Sequence, residues 1–245
     1  MNSSNDRWVI VSGAGGALGS VITDHYANLG HQVLALDRHF DPARPIIKKI
    51  TARTLDLLLE QEVRQTLADA LKGAGISLLV NAVGLICNEP VLTMRGAKFT
   101  THSIATWRQA IDANLTAPFV VATEVAALMA RRGGGAIVNF SSIASEGNAG
   151  QAAYSAAKAG IEGLTRAMAA ELGPLDVRVN AVALGFIDVA TTKAAVAEAK
   201  LQQYAAQTPL GRLGHTDDVI GAIEFLAANR FVNGVTVKVD GGIRL

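Results

Sequence analysis

Short runs rich in β-branched residues alternate with longer segments of helical periodicity along almost the whole chain. A strand, a helix and a further strand in succession form a right-handed βαβ unit, which places its strands side by side in a parallel sheet. Most of the runs are continuously apolar, as expected for strands that helices cover on both faces. The sequence therefore predicts an α/β fold with a seven-stranded parallel sheet between two helical layers. The predicted strands lie near Trp8–Ser12, Gln32–Asp37, Thr51–Asp56, Ser77–Asn81, Ala136–Ser141, Asp176–Ala183 and Thr236–Asp240.

Six segments between these strands have apolar residues that return every three or four positions, which predicts amphipathic helices. They are Ala17–Leu29, Leu58–Lys72, Ile104–Arg131, Ala152–Leu172, Thr191–Ala206 and Thr216–Ala228. No repeat or linker divides the chain, and Gly133–Gly135 fits a tight helix-to-strand connection better than a hinge. We expect a single domain over residues 1–245, a length that one α/β sheet commonly has.

The composition argues against several classes of protein. The formal net charge is +1 and no segment is densely basic, so we expect neither a nucleic-acid surface nor an anionic-membrane surface. Cys87 is the only cysteine, and no Cys/His group has zinc-site spacing, so we expect no disulfide and no metal. The run Trp8–Val11 is too short for a signal peptide core, and Ala117–Ala130 is shorter than the roughly 20 residues of a membrane span. We therefore expect a cytoplasmic protein with a small-molecule partner.

The first predicted strand leads into a glycine-rich turn, Ser12-Gly13-Ala14-Gly15-Gly16-Ala17-Leu18-Gly19, which opens the first helix. Backbone N–H groups and the helix dipole at such a point can bind a pyrophosphate, and glycines let the backbone approach it closely. We predict that Gly13, Gly16 and Leu18 contact a dinucleotide. The turn alone does not decide between binding and structure, because any strand-to-helix turn can use glycine for a positive φ.

An acidic residue at the end of the second predicted strand favours binding. Asp37 follows Gly19 by 18 residues, close to the roughly 20-residue offset at which a carboxylate accepts hydrogen bonds from the adenosine ribose. A 2′-phosphate about 4 Å away would cost about 4 kcal/mol at an effective dielectric of 20, so we expect NAD(H) as cofactor and NADP as the less favoured one. Arg38 is able to offset part of that repulsion. Asp56 and Leu57 are expected against the adenine, with helix capping as the alternative for Asp56.

Tyr154 and Lys158 lie four residues apart on one face of a predicted helix. A phenol has a pKa near 10, and one cation about 5 Å away would lower that pKa by about two units at an effective dielectric of 20. We therefore expect Lys158 to lower the pKa of Tyr154, so that the phenol exchanges a proton with an alcohol or ketone while hydride is transferred. Because this spacing often arises by chance, the surrounding residues decide its meaning.

Two further polar residues supply that context. Ser142 follows a predicted strand, at the sheet edge where ligands bind in such folds, and its hydroxyl is a candidate for holding the substrate oxygen. Ser141 is the alternative, and a turn or cap role is the ordinary explanation for either serine. Asn114 is polar within an apolar helical pattern, which suggests either a buried amide with a structural or functional partner or simple exposure.

Taken together, these motifs resemble the short-chain dehydrogenase/reductase family, from the turn at Ser12 to the terminal Val239-Asp240-Gly241-Gly242. The segments Gln151–Gly163, Arg178–Asp188 and Pro209–Gly214 also look like that family, so the resemblance covers essentially the whole chain. It implies a Rossmann-type fold and a commonly homotetrameric assembly, with a homodimer as the smaller alternative.

The resemblance also implies roles for particular residues. Ser142, Tyr154, Lys158 and Asn114 would form a catalytic tetrad, in which Lys158 also binds the nicotinamide ribose and Asn114 anchors a water. The backbone near Ile187 would meet the nicotinamide carboxamide. Ala82 and Val83, in the segment that stands for the family's NNAG, would contact the cofactor as well.

The chain departs from the family pattern at several positions. Ser12 stands for the usual Thr and Ala17 for a Gly of the phosphate turn, while Leu184 replaces a Pro and Val189 a Thr. The interval from Ser142 to Tyr154 is 12 residues, one fewer than the family spacing, which Ser141 would restore. We favour Ser142.

The sequence leaves the substrate open. The leading hypothesis is an NAD(H)-dependent oxidoreductase that interconverts a secondary alcohol and a ketone. An NADPH-dependent 3-oxoacyl-thioester reductase is the alternative within the family, and a non-catalytic dinucleotide sensor is the alternative from another class. The long segments Leu85–Thr106 and Phe186–Leu210 are expected to shape substrate choice. Arg95 and Lys98 lie on the first of them, where two cations are more often solvated than bound to an anionic substrate.

Overall fold

The computed structural model describes residues 7–43, 47–190, 192 and 197–244. A seven-stranded, wholly parallel sheet runs through it in the order β3-β2-β1-β4-β7-β8-β9, with helices on both faces. The predicted α/β, Rossmann-type fold is therefore confirmed. The strands are β1 (Trp8–Ser12), β2 (Val33–Asp37), β3 (Ile50–Thr54), β4 (Ile76–Asn81), β7 (Gly135–Ser142), β8 (Val177–Leu184) and β9 (Thr236–Val239).

Seven α-helices are found in the described part of the chain. They are α1 (Ala17–Asn28), α2 (Glu60–Leu71), α3 (Ile104–Ile111), α4 (Ala117–Ala130), α5 (Ala152–Leu172), α6 (Glu198–Gln207) and α7 (Thr216–Ala228). Short 3-10 turns cover Ile143–Glu146 and Gly173–Leu175. The predicted helix Thr191–Ala206 falls partly outside the described residues, and α6 covers its last part from Glu198 onward.

The sheet has an apolar core on each face. On one face α2, α4 and α5 pack over the strands, with Val63, Val121 and Met168 among the buried side chains. On the other face α1 and α7 do the same through Ile22 and Ile223. The inner strands are therefore buried from both sides, which explains their continuously apolar sequence.

Several predicted boundaries are corrected by the structure. The third strand ends at Thr54, not at Asp56, because the Asp56 carboxylate accepts a hydrogen bond from the backbone N–H of Leu58 (3.0 Å) and begins the turn into α2. The eighth strand starts at Val177, since Asp176 has a left-handed φ of 59°. The last strand ends at Val239, and β7 extends through Ser142.

The predicted helix Ile104–Arg131 is not one regular helix. A π-helical turn at Asp112–Thr116 separates α3 from α4. The combined segment Ile104–Ala130 is long and apolar enough to cross a membrane by length and composition. In this chain it serves as a core helix, since Val121 and Val125 are fully buried against the sheet.

The long connection after β4 contains a hairpin that the sequence analysis did not predict. Strands β5 (Leu92–Arg95) and β6 (Lys98–Thr101) pair in antiparallel register around Gly96, which has a φ of 61°. The missed signal is the Gly-containing two-residue turn Gly96-Ala97 between two short runs that each contain Thr. In contrast, the expected tight connection at Gly133–Gly135 is found, with Gly133 and Gly134 both at positive φ.

A buried chain of polar side chains crosses the centre of the sheet. Ser12 Oγ donates to Asn81 Oδ1 (2.7 Å), and Asn81 Nδ2 donates to Asn139 Oδ1 (2.9 Å). Asn139 Nδ2 in turn donates to Thr165 Oγ1 (3.0 Å) on α5. All four residues are at most 1% exposed, so water cannot reach these polar groups and they depend on one another for their hydrogen bonds. The chain of bonds fixes β1, β4, β7 and α5 relative to one another.

We predict that Asn139→Leu lowers the free energy of unfolding by about 2–3 kcal/mol, because it removes the hydrogen-bond partner of the buried Asn81 Nδ2 and Thr165 Oγ1 atoms. Urea denaturation measures this change. The exposed Asn28→Leu, at the end of α1, is the matched control and should change stability by less than about 0.5 kcal/mol. Equal stability of the two variants would contradict the assignment.

Candidate active site

The order of the strands creates a crevice at their carboxyl ends. The chain runs outward from β1 to β2 and β3, then returns to place β4 on the other side of β1. Ligands bind at such a reversal in open α/β sheets. A cavity of about 650 Å³ lies there. It is bounded by the glycine-rich turn, by the segments Asp37–His39, Asp56–Leu58 and Ala82–Leu85, and by side chains of α3 that include Arg108 and Gln109.

The glycine-rich turn fits a pyrophosphate. Gly13 has a φ of 74°, and a Cβ at this position would lie 2.7 Å from the backbone of Ala82. A Cβ at Gly19 would overlap the Gly13 carbonyl oxygen, so the turn is close-packed against α1. Gly16 is the N-cap of α1 and supplies no side-chain acceptor, and the first turn of the helix has no acidic residue. The positive end of the helix dipole therefore faces the cavity without a compensating negative charge from its own first turn.

Asp37 and Arg38 border the cavity in different ways. Asp37 Oδ2 accepts a hydrogen bond from the Gly15 N–H (2.8 Å), which ties the end of β2 to the phosphate turn. Arg38 extends to Asp56, with 2.7 Å between Nη2 and Oδ1. The pKa of the Asp56 carboxyl is lowered, first by the backbone hydrogen bond from Leu58 and then by Arg38. Arg38 is thus engaged by a carboxylate on the cavity wall.

Tyr154, Ser142 and Lys158 lie together at the carboxyl end of β7. The Tyr154 phenol makes a hydrogen bond with the Ser142 side chain, and Lys158 Nζ lies 5.6 Å from the centroid of the Tyr154 ring. Lys158 is 3% exposed and donates to the Phe140 carbonyl oxygen (2.9 Å). The helical spacing of four residues thus brings the phenol and the ammonium into one small volume, as predicted.

The structure distinguishes the two serines that the sequence left open. Ser141 is buried, and its Oγ donates to Glu162 Oε1 (2.8 Å) on α5. Ser142, the next residue along the strand, faces the opposite way and meets Tyr154. The geometry therefore favours Ser142, even though the residue count favoured Ser141.

Asn114 lies in the π-helical turn, fully buried. Its Oδ1 accepts from the Leu85 N–H (3.0 Å), and its Nδ2 donates to the Leu85 and Ala110 carbonyl oxygens (2.9 Å each). A Cβ on Gly84 would lie 3.0 Å from Asn114 Oδ1 and 3.4 Å from Lys158 Nζ. Asn114 and Lys158 therefore converge on Gly84, which also lines the cavity. Of the two explanations for a polar residue here, the buried amide is confirmed.

The predicted net lowering of the Tyr154 pKa is wrong for this site. Burial raises the pKa of Tyr154, and the hydrogen bond with Ser142 opposes that rise only in part. Burial also lowers the pKa of Lys158 to about 8. The sequence argument assumed an effective dielectric of 20, whereas both groups are largely removed from water and burial shifts the pKa of each in the direction that favours the neutral form.

The predicted residues are not all at the cavity wall. Gly13, Gly16, Leu57, Ala82 and Val83 line it, together with Asp37, Arg38 and Asp56. Leu18 and Ile187 instead pack in the core on the α1 and α7 face of the sheet. Leu18 is partly buried against this core from α1, and Ile187, which forms an isolated β-bridge with Gly214, is buried in it.

Sequence reasoning also missed residues that the fold brings to the site. Cys87 is buried against Ala153 and is close enough to Tyr154 to influence its pKa. Arg108 and Gln109 reach the cavity from α3. No local motif marks these residues, because their proximity depends on the path of the connection between β4 and α3.

This combination of a phosphate-binding turn and a Tyr–Lys pair defines a dinucleotide-dependent oxidoreductase. A family model described as enoyl-(acyl carrier protein) reductase matches residues 13–244. The short-chain reductase protein NovJ of Streptomyces niveus is 32% identical, over 98% of this chain and 94% of its own length. The 3-oxoacyl-acyl-carrier-protein reductase FabG of Pseudomonas aeruginosa is 32% identical over 98% of each chain.

A similar fold is found among solved structures. Aldohexose dehydrogenase of Thermoplasma acidophilum has a TM-score of 0.84 at 29% identity, over 97% of this chain and 94% of its own. The chain belongs to the short-chain dehydrogenase/reductase family. It is an enzyme that acts on CH–OH groups with a nicotinamide dinucleotide, so the hypothesis of a non-catalytic sensor is set aside.

We predict that Lys158→Met is more stable than the wild type at pH 7, because it removes a charge whose burial costs free energy. Unfolded lysine keeps its proton up to about 10.5, whereas folded Lys158 loses it near 8. The unfolded state therefore binds more protons between these values, and wild-type stability rises with pH there. The difference in the free energy of unfolding between Lys158→Met and the wild type, measured by urea titration, should therefore shrink from pH 8 to 10.5.

The exposed Lys98→Met is the control, and its effect on stability should be small throughout this range. A stability difference for Lys158→Met that does not change with pH would show that burial of the ammonium is not its cause.

Proposed function

We propose that this enzyme interconverts a secondary alcohol and a ketone with NAD(H), and that Tyr154 exchanges the proton at the substrate oxygen. The observation that carries this proposal is the contact of Tyr154 with Ser142 and Lys158 next to the dinucleotide cavity. A bound nicotinamide supplies or accepts the hydride. Side chains of this protein orient the substrate, exchange the proton and position the cofactor.

Tyr154 and Ser142 act on the same oxygen atom of the substrate. The Ser142 hydroxyl orients that oxygen by a hydrogen bond, and the Tyr154 hydroxyl donates a proton to it or removes one. Because burial raises the pKa of Tyr154, the phenol holds its proton at neutral pH and is ready to act as the acid in ketone reduction. Lys158, with a pKa of about 8, is mostly charged at pH 7 and favours the phenolate when Tyr154 gives up its proton.

Asn114 and Lys158 also organise the wall beside Gly84. We propose that Lys158 binds the nicotinamide ribose and that Asn114 holds the segment after β4 in place, with a water completing the relay to Lys158. The three hydrogen bonds of Asn114 to Leu85 and Ala110 support the positioning part of this role. Gly13, Gly16, Ala82, Val83 and the backbones at Leu18 and Ile187 are proposed as further cofactor contacts.

The preference for NAD(H) rests on Asp37. Its carboxylate stands at the end of β2, where a 2′-phosphate would meet like charge. Arg38 is the residue that would accommodate that phosphate, but it is paired with Asp56. An NADPH-dependent 3-oxoacyl-thioester reductase is the second candidate, favoured by the name of the P. aeruginosa relative. Binding of NADPH in that case requires Arg38 to break its ion pair with Asp56.

We further propose one catalytic domain over residues 1–245, a cytoplasmic location and assembly as a homotetramer, with a homodimer as the alternative. Phe119 on α4 is 46% exposed. On α5 the small residues Ala156, Ala159 and Gly163 lie on one exposed face, which allows another helix to approach closely. Both features support a helical interface between copies.

We expect Tyr154→Phe to lower kcat/KM by about 10²–10⁴-fold, because it removes only the hydroxyl that exchanges the proton. Turnover of a panel of secondary alcohols and ketones measures this effect, and fluorescence titration with NADH should give a nearly unchanged Kd. Tyr26→Phe is the control, since its buried hydroxyl has no hydrogen-bond partner within the described residues and lies in the α1 core. Full turnover by Tyr154→Phe would rule out the proposed chemistry.

We expect the wild type to bind NADH at least about tenfold more tightly than NADPH, since the charge repulsion at Asp37 is reduced but not removed by solvent. Asp37→Ser should lower or invert the ratio of the Kd values for NADPH and NADH. The exposed Asp41→Ser, four residues later, should leave that ratio unchanged. Fluorescence titrations with both reduced cofactors give the ratio without a known substrate. Tighter binding of NADPH by the wild type would favour the thioester reductase.

A further inference from the structure

Three side-chain amides form a continuous hydrogen-bonded row beside the N-terminus of α5. Asn148 Nδ2 donates to Gln151 Oε1 (2.8 Å), and Gln151 Nε2 donates to Asn88 Oδ1 (2.7 Å). We call Asn148, Gln151 and Asn88 the amide row. It joins the loop after β7 to the connection after β4, two segments that are distant in sequence.

The amide row lies next to the proposed reaction centre. Gln151 is the N-cap residue of α5 and precedes Tyr154 by three residues, or about one helical turn. Asn88 follows Cys87, which packs against Ala153 and influences the pKa of Tyr154. The row is therefore anchored within about one helical turn of Tyr154, next to the contact between Cys87 and Ala153.

Backbone contacts hold the row in place. The Gln151 N–H donates to the Asn148 carbonyl oxygen (3.0 Å), and the Asn148 N–H donates to Ser155 Oγ (3.2 Å). Gln151 is thus held on both sides, by its backbone and by its side chain. Such a pre-formed group loses little conformational entropy when a ligand binds to it.

The ends of the row retain hydrogen-bonding capacity. Gln151 uses both ends of its amide, but no hydrogen bond from Asn88 Nδ2 or to Asn148 Oδ1 is found within the described residues. Asn88 is exposed, so its side-chain N–H groups are accessible to a ligand from solvent. Bonds in a row polarise one another in the same direction, which strengthens the free donor at the Asn88 end.

The charge around the row favours a neutral ligand group. Amides carry no net charge, and Glu89, the residue after Asn88, is a carboxylate bound to the Ser103 N–H (2.6 Å) at the start of α3. Hydrogen bonds from Thr106 and Ser103 lower the pKa of Glu89, so it is negative at neutral pH. A hydroxyl or carbonyl oxygen suits this position, whereas an anionic group would meet repulsion.

We infer that the amide row is a second substrate subsite, which binds a neutral hydroxyl or carbonyl oxygen near the reacting carbon and selects oxygen-rich alcohols and ketones over monofunctional ones. This inference rests on the proposed function, because it takes the reacting carbon to lie at Tyr154. An apolar substrate that covered the row would leave its polar ends unpaired, and sites built for hydrogen bonding strongly reject such analogues.

The first test is binding to the NADH-loaded enzyme, in which alcohols cannot be oxidised. Butane-2,3-diol and butan-2-ol share a carbon skeleton and differ by one hydroxyl. The diol should raise the Tm of the wild-type complex more than butan-2-ol at equal concentration. Gln151→Leu and Asn88→Ala should each remove the difference, and Gln65→Leu, the same change on the exposed side of α2, should retain it. Equal shifts in the wild type, or a diol advantage that survives Gln151→Leu, would overturn the inference.

The second test is turnover of acetoin and butan-2-one with NADH. Gln151→Leu should lower kcat/KM for acetoin by about tenfold and leave kcat/KM for butan-2-one within about threefold of the wild type. Equal losses for both ketones would show a general positioning effect and refute a subsite.

Tyr154→Phe separates the two proposals. It should lose turnover while keeping the diol advantage in binding, so a missing diol advantage rejects the subsite alone, and continued turnover rejects the proposed chemistry alone.

Discussion

The buried hydrogen-bond chain from Ser12 through Asn81 and Asn139 to Thr165 is the interaction on which the site depends most directly. It begins at the residue where the phosphate turn leaves β1 and ends on the helix that carries Tyr154. Thr165 lies 11 residues beyond Tyr154, or about 16 Å along α5. The two halves of the site, one for the dinucleotide and one for proton exchange, are therefore fixed to a common set of strands. Partial loss of these bonds would leave amides unpaired in a dry interior, which is why such networks tend to be complete.

Burial gives the reaction centre its chemical character at some cost in stability. Tyr154 and Lys158 are both largely removed from water, and burial shifts the pKa of each in the direction that favours its neutral form. A lysine with a pKa of about 8 and a protonated phenol beside it suit proton exchange near neutral pH. The surrounding fold, with Val63 and Ile223 among the buried residues of its two apolar cores, compensates for this cost. Proteins commonly hold perturbed groups at active sites in this way.

Much of the fold could be predicted because its signals are local. The seven strands and the glycine-rich turn follow from apolar periodicity and from glycines at fixed positions, and the same applies to the spacing of Tyr154 and Lys158 on one helix face. The failures have physical reasons as well. The π-helical turn at Asn114 depends on hydrogen bonds to Leu85, 29 residues away. The hairpin at Leu92–Thr101 has weak apolar alternation because both of its faces are exposed. The sign of the pKa shift at Tyr154 depends on burial, which helical spacing does not report.

The sequence by itself determined the fold class, the position of the phosphate turn and the family, because each depends on periodicity or on residues close together in the chain. Only the tertiary structure decided which serine faces Tyr154, which proton state burial favours, and that Asn88 meets Gln151 across 63 residues. These features depend on which side chains the strand order and the long connections bring into contact. Contacts of that kind leave no pattern along the chain, since the free energy that selects them comes from packing the whole sheet and its helices together.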